Sequence, residues 1–260
     1  MADGVLYEVV DGLATVTLNR PGAMNALDTR TKEALRDSLA GAARDEDVRA
    51  VLLTGTGRAF CVGQDLKEHA EVLAAGGGMT TVGEHYNPIA LAIATMPKPV
   101  VAAVNGVAAG AGAAFAFAAD YRVAAESASF TTAFTDVGLA ADSGMSWTLQ
   151  RLAGYGRAAD LLLFPRPVRA AEALSLGLVQ RVVPDADLPG EALALARKLA
   201  AGPTLAYAAV KSALAHAASH TLPEALALED TLQNRAGASA DHRAAVEAFL
   251  RKEKPVFEGR

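Results

Sequence analysis

A single cysteine, Cys61, among 260 residues leaves no partner for an intrachain disulfide and suits a reducing compartment. The chain has no block of like charge, and its formal net charge of -5 argues against nucleic acid or an anionic membrane surface as a partner. It also lacks an apolar stretch fit to span a membrane. The best candidate, Pro99 to Ala119, is broken by Asn105, Gly106, Gly110 and Gly112. The opening Met1-Ala2-Asp3-Gly4 shows no basic segment ahead of an apolar one, so no secretory signal is expected and the cytoplasm is the expected address. His69, His216, His220 and His242 have no ligand spacing, so no metal site is expected. There is no glycine-lysine-serine phosphate loop, and Ser143 stands in no nucleophile elbow. The glycine pairs Gly55/Gly57 and Gly110/Gly112 fail as dinucleotide fingerprints, because Phe60 and Phe115 occupy the third small position.

What is present is enough chain for one large domain, rich in alanine and therefore in helix formers. Leu6–Val10 and Leu13–Leu18 alternate about Asp11-Gly12, which predicts a hairpin. Asp28 is placed to cap a helix running through Ala40, and Asp65 one running to Gly76-Gly77-Gly78. Strands are expected at Ala50–Thr54, Val100–Val104, Tyr121–Ala125 and Leu178–Val183. Helices are expected over Val82–Ala94, Ala111–Ala119 and Val168–Gly177, and almost continuously from Pro189 to Arg251. Strands alternating with helices, followed by helices alone, predict an α/β core with a helical C-terminal part.

Two glycine-rich loops concentrate the chemical interest. Thr54–Leu66 follows one short apolar strand and Asn105–Ala114 follows another, and each runs into a helix. A strand, a tight turn and a helix start leave main-chain N–H groups without intrahelical acceptors. Two such loops side by side would offer one N–H each to a single oxygen, which is an oxyanion hole; the alternative is a pair of tight turns that use glycine for backbone freedom.

These loops, with Thr17–Pro21, Asn25-Ala26-Leu27, Gly138-Leu139, Gln150–Gly154, Ala171–Ala173, Gly177–Val179 and the tail from Ser239 to Gly259, resemble the enoyl-CoA hydratase/isomerase family, or crotonase superfamily, nearly end to end. The resemblance implies a spiral of ββα units over residues 1–200 and a helical oligomerisation part over 201–260. It implies an acyl-CoA substrate, no cofactor beyond the coenzyme A of that substrate, and a homotrimer or dimer of trimers. By motif position it places the oxyanion donors at the N–H groups of Gln64 and Ala111. It places coenzyme A contacts at Ala59, Val62, Gln64 and Lys67, with Arg20, Lys252 and Lys254 as further phosphate contacts.

Where hydratases of the family carry two glutamates, this chain has Ala114 and Phe134, neither of which moves a proton. The segment Gly138–Gly144 instead matches the branch of the Δ3-Δ2-enoyl-CoA isomerases and ring-1,2-epoxyphenylacetyl-CoA isomerase, whose aspartate acts as acid and base; here it is Asp142, with Ala141 in place of the branch's proline. Asp142 ahead of Ser143-Gly144 also reads as an ordinary helix cap. His85 and Tyr86 join Ala114 and Phe134 as acyl-pocket candidates, and Cys61 reads as a packed thiol. An isomerase is thus the expected activity. A hydratase with unusual groups and a non-catalytic acyl-CoA binder stand as alternatives.

Overall fold

The structure, a computed structural model, describes residues 3–260. The chain opens with β1 (Val5–Val10) and β2 (Leu13–Leu18), an antiparallel hairpin in which Val10 pairs with Leu13. Asp11 and Gly12 both sit at positive φ, 51° and 76°, as a two-residue turn of this hand requires. Helix α1 (Thr29–Arg44) starts at Asp28, whose carboxylate accepts from the Thr31 N–H at 2.8 Å.

Three strand pairs follow, each split between two sheets. β3 (Ala50–Gly55) with β4 (Ala59–Cys61), β5 (Val100–Val104) with β6 (Val107–Ala109), and β7 (Tyr121–Ala125) with β8 (Ser129–Thr131) each give their first strand to one sheet and their second to the other. The larger sheet has the order β1-β2-β3-β5-β7-β10, where β10 is Arg181–Val183, and it is parallel beyond the opening hairpin. The smaller has the order β4-β6-β8-β9, where β9 is Val168–Arg169. Helix α2 (Leu66–Ala74) follows the first pair and α4 (Ala111–Ala118) the second, with α3 (Asn87–Thr95) between them. The winding is the expected spiral of ββα units. The second sheet was not foreseen, since its strands run only two or three residues and show no alternation.

Two elements differ from expectation. The helix predicted from Val82 begins as a π-turn, Val82–Tyr86, in which the Asn87 N–H reaches the Val82 carbonyl. Pro88 cannot donate in the next turn, and the wider turn ahead of it absorbs the missing bond. The helix predicted from Val168 starts two residues later as α7 (Ala170–Ser175), because Val168 pairs with Phe130 across the smaller sheet.

Helices α5 (Met145–Ala153) and α6 (Tyr155–Leu163) pack together beside α4, and α8 (Leu188–Ala200) lies across β3, β5 and β7. Beyond Gly202-Pro203 come α9 (Thr204–Ala217), α10 (Leu222–Gly237) and α11 (Ala240–Arg251). Polar contacts tie this helical part to the core. Lys211 on α9 meets Asp120 at 2.8 Å, and Arg49 donates to the Phe257 carbonyl at 2.9 Å and to Thr204 Oγ1 at 3.1 Å. Buried Asp241 accepts from the Glu258 N–H at 2.7 Å, so the tail folds back onto α11. No helix among the described residues is long and apolar enough to cross a membrane.

Candidate active site

The two glycine loops lie against each other. β4 and β6 run parallel, with Cys61 opposite Ala108, which carries the chain beyond Cys61 alongside the start of α4. The approach is so close that a Cβ on Gly112 would stand 2.2 Å from the Cys61 carbonyl oxygen, so only glycine fits there. At Gly63, where φ is +81°, a Cβ would lie 2.9 Å from the Ala109 oxygen and 3.3 Å from the Ala111 nitrogen. The Gln64 and Ala111 amides therefore belong to touching segments. Neither N–H donates to an acceptor among the described residues. Helix α4 is capped by Gly110, which brings no side-chain oxygen, and has no acidic residue in its first turn. Its N-terminal partial positive charge is left uncompensated by the protein.

A shared framework holds the first loop in place. Asn25, fully buried in a left-handed conformation, donates to the carbonyls of Thr56, Ala59 and Phe60 at 3.0, 2.8 and 3.2 Å. Asn105 reaches across from the second loop to the carbonyls of Gly57 and Ala59 at 2.9 and 3.0 Å. A bridge between Leu27 and Gln64 fixes the far side, with the Leu27 N–H on the Gly63 oxygen at 2.8 Å. Asp65 caps α2 through the Lys67 N–H at 3.1 Å. Burial pushes its carboxyl up, but hydrogen bonds led by Arg20 outweigh that and hold it below the ordinary value.

The acyl-pocket candidates are buried: Ala114 and Phe134, together with His85 and Tyr86 from the π-turn. Tyr86 packs edge-on against Phe115 with ring centroids 6.0 Å apart, and its hydroxyl donates to Gln64 Oε1. Burial chiefly, and then the nearby carboxylates of Asp142 and Glu68, push this phenol up.

Asp142 is part-buried and does not cap α5. The helix is capped by Gly144, and the carboxylate's partner is the Ser143 hydroxyl at 2.7 Å. Burial raises its pKa above the ordinary aspartate value, and the Ser143 hydrogen bond opposes that shift. The thiol of Cys61, fully buried, is pushed up to about 12 by desolvation, against a weaker pull from the Gly63 N–H. It stays protonated at neutral pH and serves as packing.

Not every expected ligand contact faces outward. Ala59 is fully buried, and its carbonyl, already shared by Asn25 and Asn105, is not free to meet coenzyme A. Arg20, expected as a phosphate contact, is held by Asp28 and Asp65, each at 3.1 Å. Val62 is partly exposed, and Lys67, Lys252 and Lys254 are exposed. A groove of about 1070 Å³ lies elsewhere, beneath the C-terminal helices and lined by Lys98, Thr204, Lys211 and Arg235; it contains none of the candidate site residues.

Sequence reasoning passed over Lys32. Its side chain is 2% exposed, and its ammonium contacts Thr81 Oγ1, Glu68 Oε1 and Gln64 Oε1 at 3.0, 3.3 and 3.4 Å. The signal was present in the spacing. Lys32, Leu35, Leu39 and Ala42 form the buried stripe of α1, so a lysine stands where the helical period calls for an apolar residue.

Comparison with known proteins bears on the same surfaces. The family profile for enoyl-CoA hydratase/isomerase matches residues 8–260. A Rhodobacter capsulatus protein named a probable enoyl-CoA hydratase is 48% identical over 257 residues, 98% of each chain. The 1,2-epoxyphenylacetyl-CoA isomerase of Escherichia coli is 42% identical over 264 residues, 100% of each chain. A Mycobacterium abscessus crystal structure described as an enoyl-CoA hydratase/isomerase superposes with a TM-score of 0.96 at 46% identity, covering 98% of this chain and 100% of that one.

Proposed function

The chain belongs to the enoyl-CoA hydratase/isomerase family, whose members act on acyl-CoA thioesters, and from that premise we propose that it is an acyl-CoA isomerase working through a thioester enolate. In this reading the Asp142 carboxylate takes the proton from C2 of a 3-enoyl-CoA. The electron pair moves onto the thioester oxygen, where the Gln64 and Ala111 N–H groups and the start of α4 stabilise it. The same aspartic acid then returns its proton to C4, leaving the double bond between C2 and C3. One base suffices, since no water is added and no group leaves. Two preorganised donors in a water-poor site act where charge develops, and each is typically worth about 3 kcal/mol of transition-state stabilisation.

The observation that carries the proposal is a part-buried aspartate with no capping duty, in a chain whose two family glutamate positions hold the buried Ala114 and Phe134. The resulting apolar lining suits an aliphatic chain or an aromatic ring. A ring epoxide, the substrate named for the Escherichia coli relative, is the variant of this chemistry that the lining also accommodates. Val62, Gln64 and Lys67 are the groups left to meet coenzyme A. No further cofactor is needed for the proton transfers.

A second reading, hydration of a 2-enoyl-CoA, is favoured by the name of the Rhodobacter capsulatus relative. One assay separates the two. With 3-hexenoyl-CoA in deuterated water, the isomerase forms conjugated 2-enoyl thioester into which deuterium enters over repeated turnovers, as the proton held on Asp142 exchanges with solvent, and 2-hexenoyl-CoA keeps its conjugated absorbance. Loss of that absorbance with no action on the 3-enoyl ester would establish the hydratase, and tight binding without turnover of either would establish a non-catalytic binder.

We also propose a homotrimer or dimer of trimers built on the C-terminal helices. Leu214 on α9, Leu226 on α10 and Phe249 and Leu250 on α11 are exposed at 70%, 54%, 80% and 75%, apolar side chains that a subunit interface on these helices would cover. Sedimentation should give a trimer or hexamer at micromolar concentration; a monomer would remove this reading.

A further inference from the structure

We propose that Lys32 is a positioning residue that sets the Gln64 end of the oxyanion hole and couples it to the wall of the acyl pocket. The proposal rests on the isomerase reading of that hole. A lysine ammonium has three N–H donors, and here three acceptors from three different segments meet it: Thr81 Oγ1 from the turn before the π-helix, Glu68 Oε1 from α2, and Gln64 Oε1 from the first loop. The Tyr86 ring lies beneath the same charge, 5.8 Å from Nζ to its centroid.

Each acceptor leads onward to the site. Gln64 Oε1 also accepts from the Tyr86 hydroxyl, so the one oxygen has two donors and its carboxamide is held from both sides. Thr81 Oγ1, taking a hydrogen bond from Lys32, is left with its own proton for His85 Nδ1 at 3.2 Å. His85 and Tyr86 are buried side chains proposed for the acyl pocket, and Gln64 carries a proposed oxyanion donor on its main chain. One ammonium thus joins the donor loop to the wall.

Its burial makes the arrangement costly to break. A charge this enclosed keeps its place only while its partners stay in theirs, and removing it leaves the Glu68 carboxylate and the Gln64 and Thr81 oxygens short of a donor. The loop would then relax. An oxyanion donor displaced by a fraction of an ångström loses most of its advantage, because its worth depends on aim at the developing charge. Lys32 itself reaches the reaction only through Gln64 and the π-turn.

The test pairs Lys32→Met, similar in length and uncharged, with Gln64→Ala, which keeps the main-chain N–H and deletes the carboxamide. Two readouts are taken: the red shift of cinnamoyl-CoA on binding, which reports how strongly the thioester carbonyl is polarised, and kcat and KM for 3-hexenoyl-CoA. Lys32→Met should lose at least half of the wild-type red shift and lower kcat roughly tenfold. KM should stay within about twofold. In the Gln64→Ala background the same substitution should change kcat by clearly less than it does in the wild type, because the route through the carboxamide is already gone and only the one through the π-turn remains. Should Lys32→Met fail to fold, Thr81→Val, which leaves the ammonium in place and removes one of its acceptors, should shift both readouts in the same direction. A full red shift in folded Lys32→Met, or effects that multiply in the double variant, would overturn the positioning role while leaving the oxyanion reading intact. A wild-type complex with no red shift at all would remove both.

Discussion

Asp142→Asn is expected to lower kcat for 3-enoyl-CoA isomerisation by about 10²–10⁴-fold, the ordinary worth of a positioned general base. Deuterium entry from solvent should fall in parallel, and the affinity for a saturated acyl-CoA should be nearly unchanged. The wild-type kcat/KM should rise with pH along a limb whose midpoint lies above the usual aspartate range, because burial holds the Asp142 proton more tightly than water would. That limb should be absent in the asparagine variant.

The same shift predicts a change in stability, and its sign follows from proton counting. The folded chain keeps a proton on Asp142 at pH values where the unfolded chain has released it, so stability falls as pH rises from the ordinary carboxylate pKa through the raised one. Above that window the wild type carries the full burden of a half-buried charge. Asp142→Asn should therefore melt higher than wild type at pH 8, with the gap closing as pH falls below about 4, where aspartate becomes protonated in both states. A variant that is inactive and more stable is the signature of a carboxylate kept for chemistry. Lower stability at neutral pH together with retained exchange would mark Asp142 as a structural residue.

Gly63→Ala should be as damaging by a different route. The added methyl would lie 2.9 Å from the Ala109 oxygen and 3.3 Å from the Ala111 nitrogen, at a backbone angle that L-residues rarely adopt. The first loop must move away from the second, which pulls the Gln64 N–H out of alignment with its partner donor. Losing one oxyanion donor typically lowers kcat by about 10²–10³-fold. The strained conformation should also destabilise the fold by about 1–3 kcal/mol, measurable by urea titration. Gly138 is a useful control: it too sits at positive φ, 72°, but nothing lies within 4 Å of its would-be Cβ. Gly138→Ala should show backbone strain without the crowding between the loops.

How much of this was legible in the sequence depends on the range of the interaction. Asp11-Gly12 announces its hairpin and Asp28 and Asp65 their helices, because each acts within a few residues of itself. The long apolar strands β3, β5 and β7 were visible for the same reason. The smaller sheet was not, since Phe60 or Phe130 in a strand of three residues gives no period to read. Val168 looked helical because its antiparallel partner, Phe130, lies 38 positions earlier. At the site, the two loops stand out by their strand–glycine–helix pattern, while the Gln64 and Ala111 donors and Asp142 were reached through motif resemblance. The Asn25 clamp, the reach of Arg20 to Asp65 and the Lys32 network depend on partners 30 to 50 positions away, which spacing alone does not bring together.

The proposed chemistry requires the Gln64 and Ala111 amides to polarise a thioester carbonyl. The measurement closest to that claim is the isotope-edited infrared stretch of hexanoyl-CoA labelled with carbon-13 at the carbonyl, bound to the wild-type protein and to Gly63→Ala. The wild-type complex should absorb at distinctly lower frequency than the free ester in water, and the variant complex close to the free value. An identical stretch in both complexes, or one unmoved from water in the wild type, would contradict it.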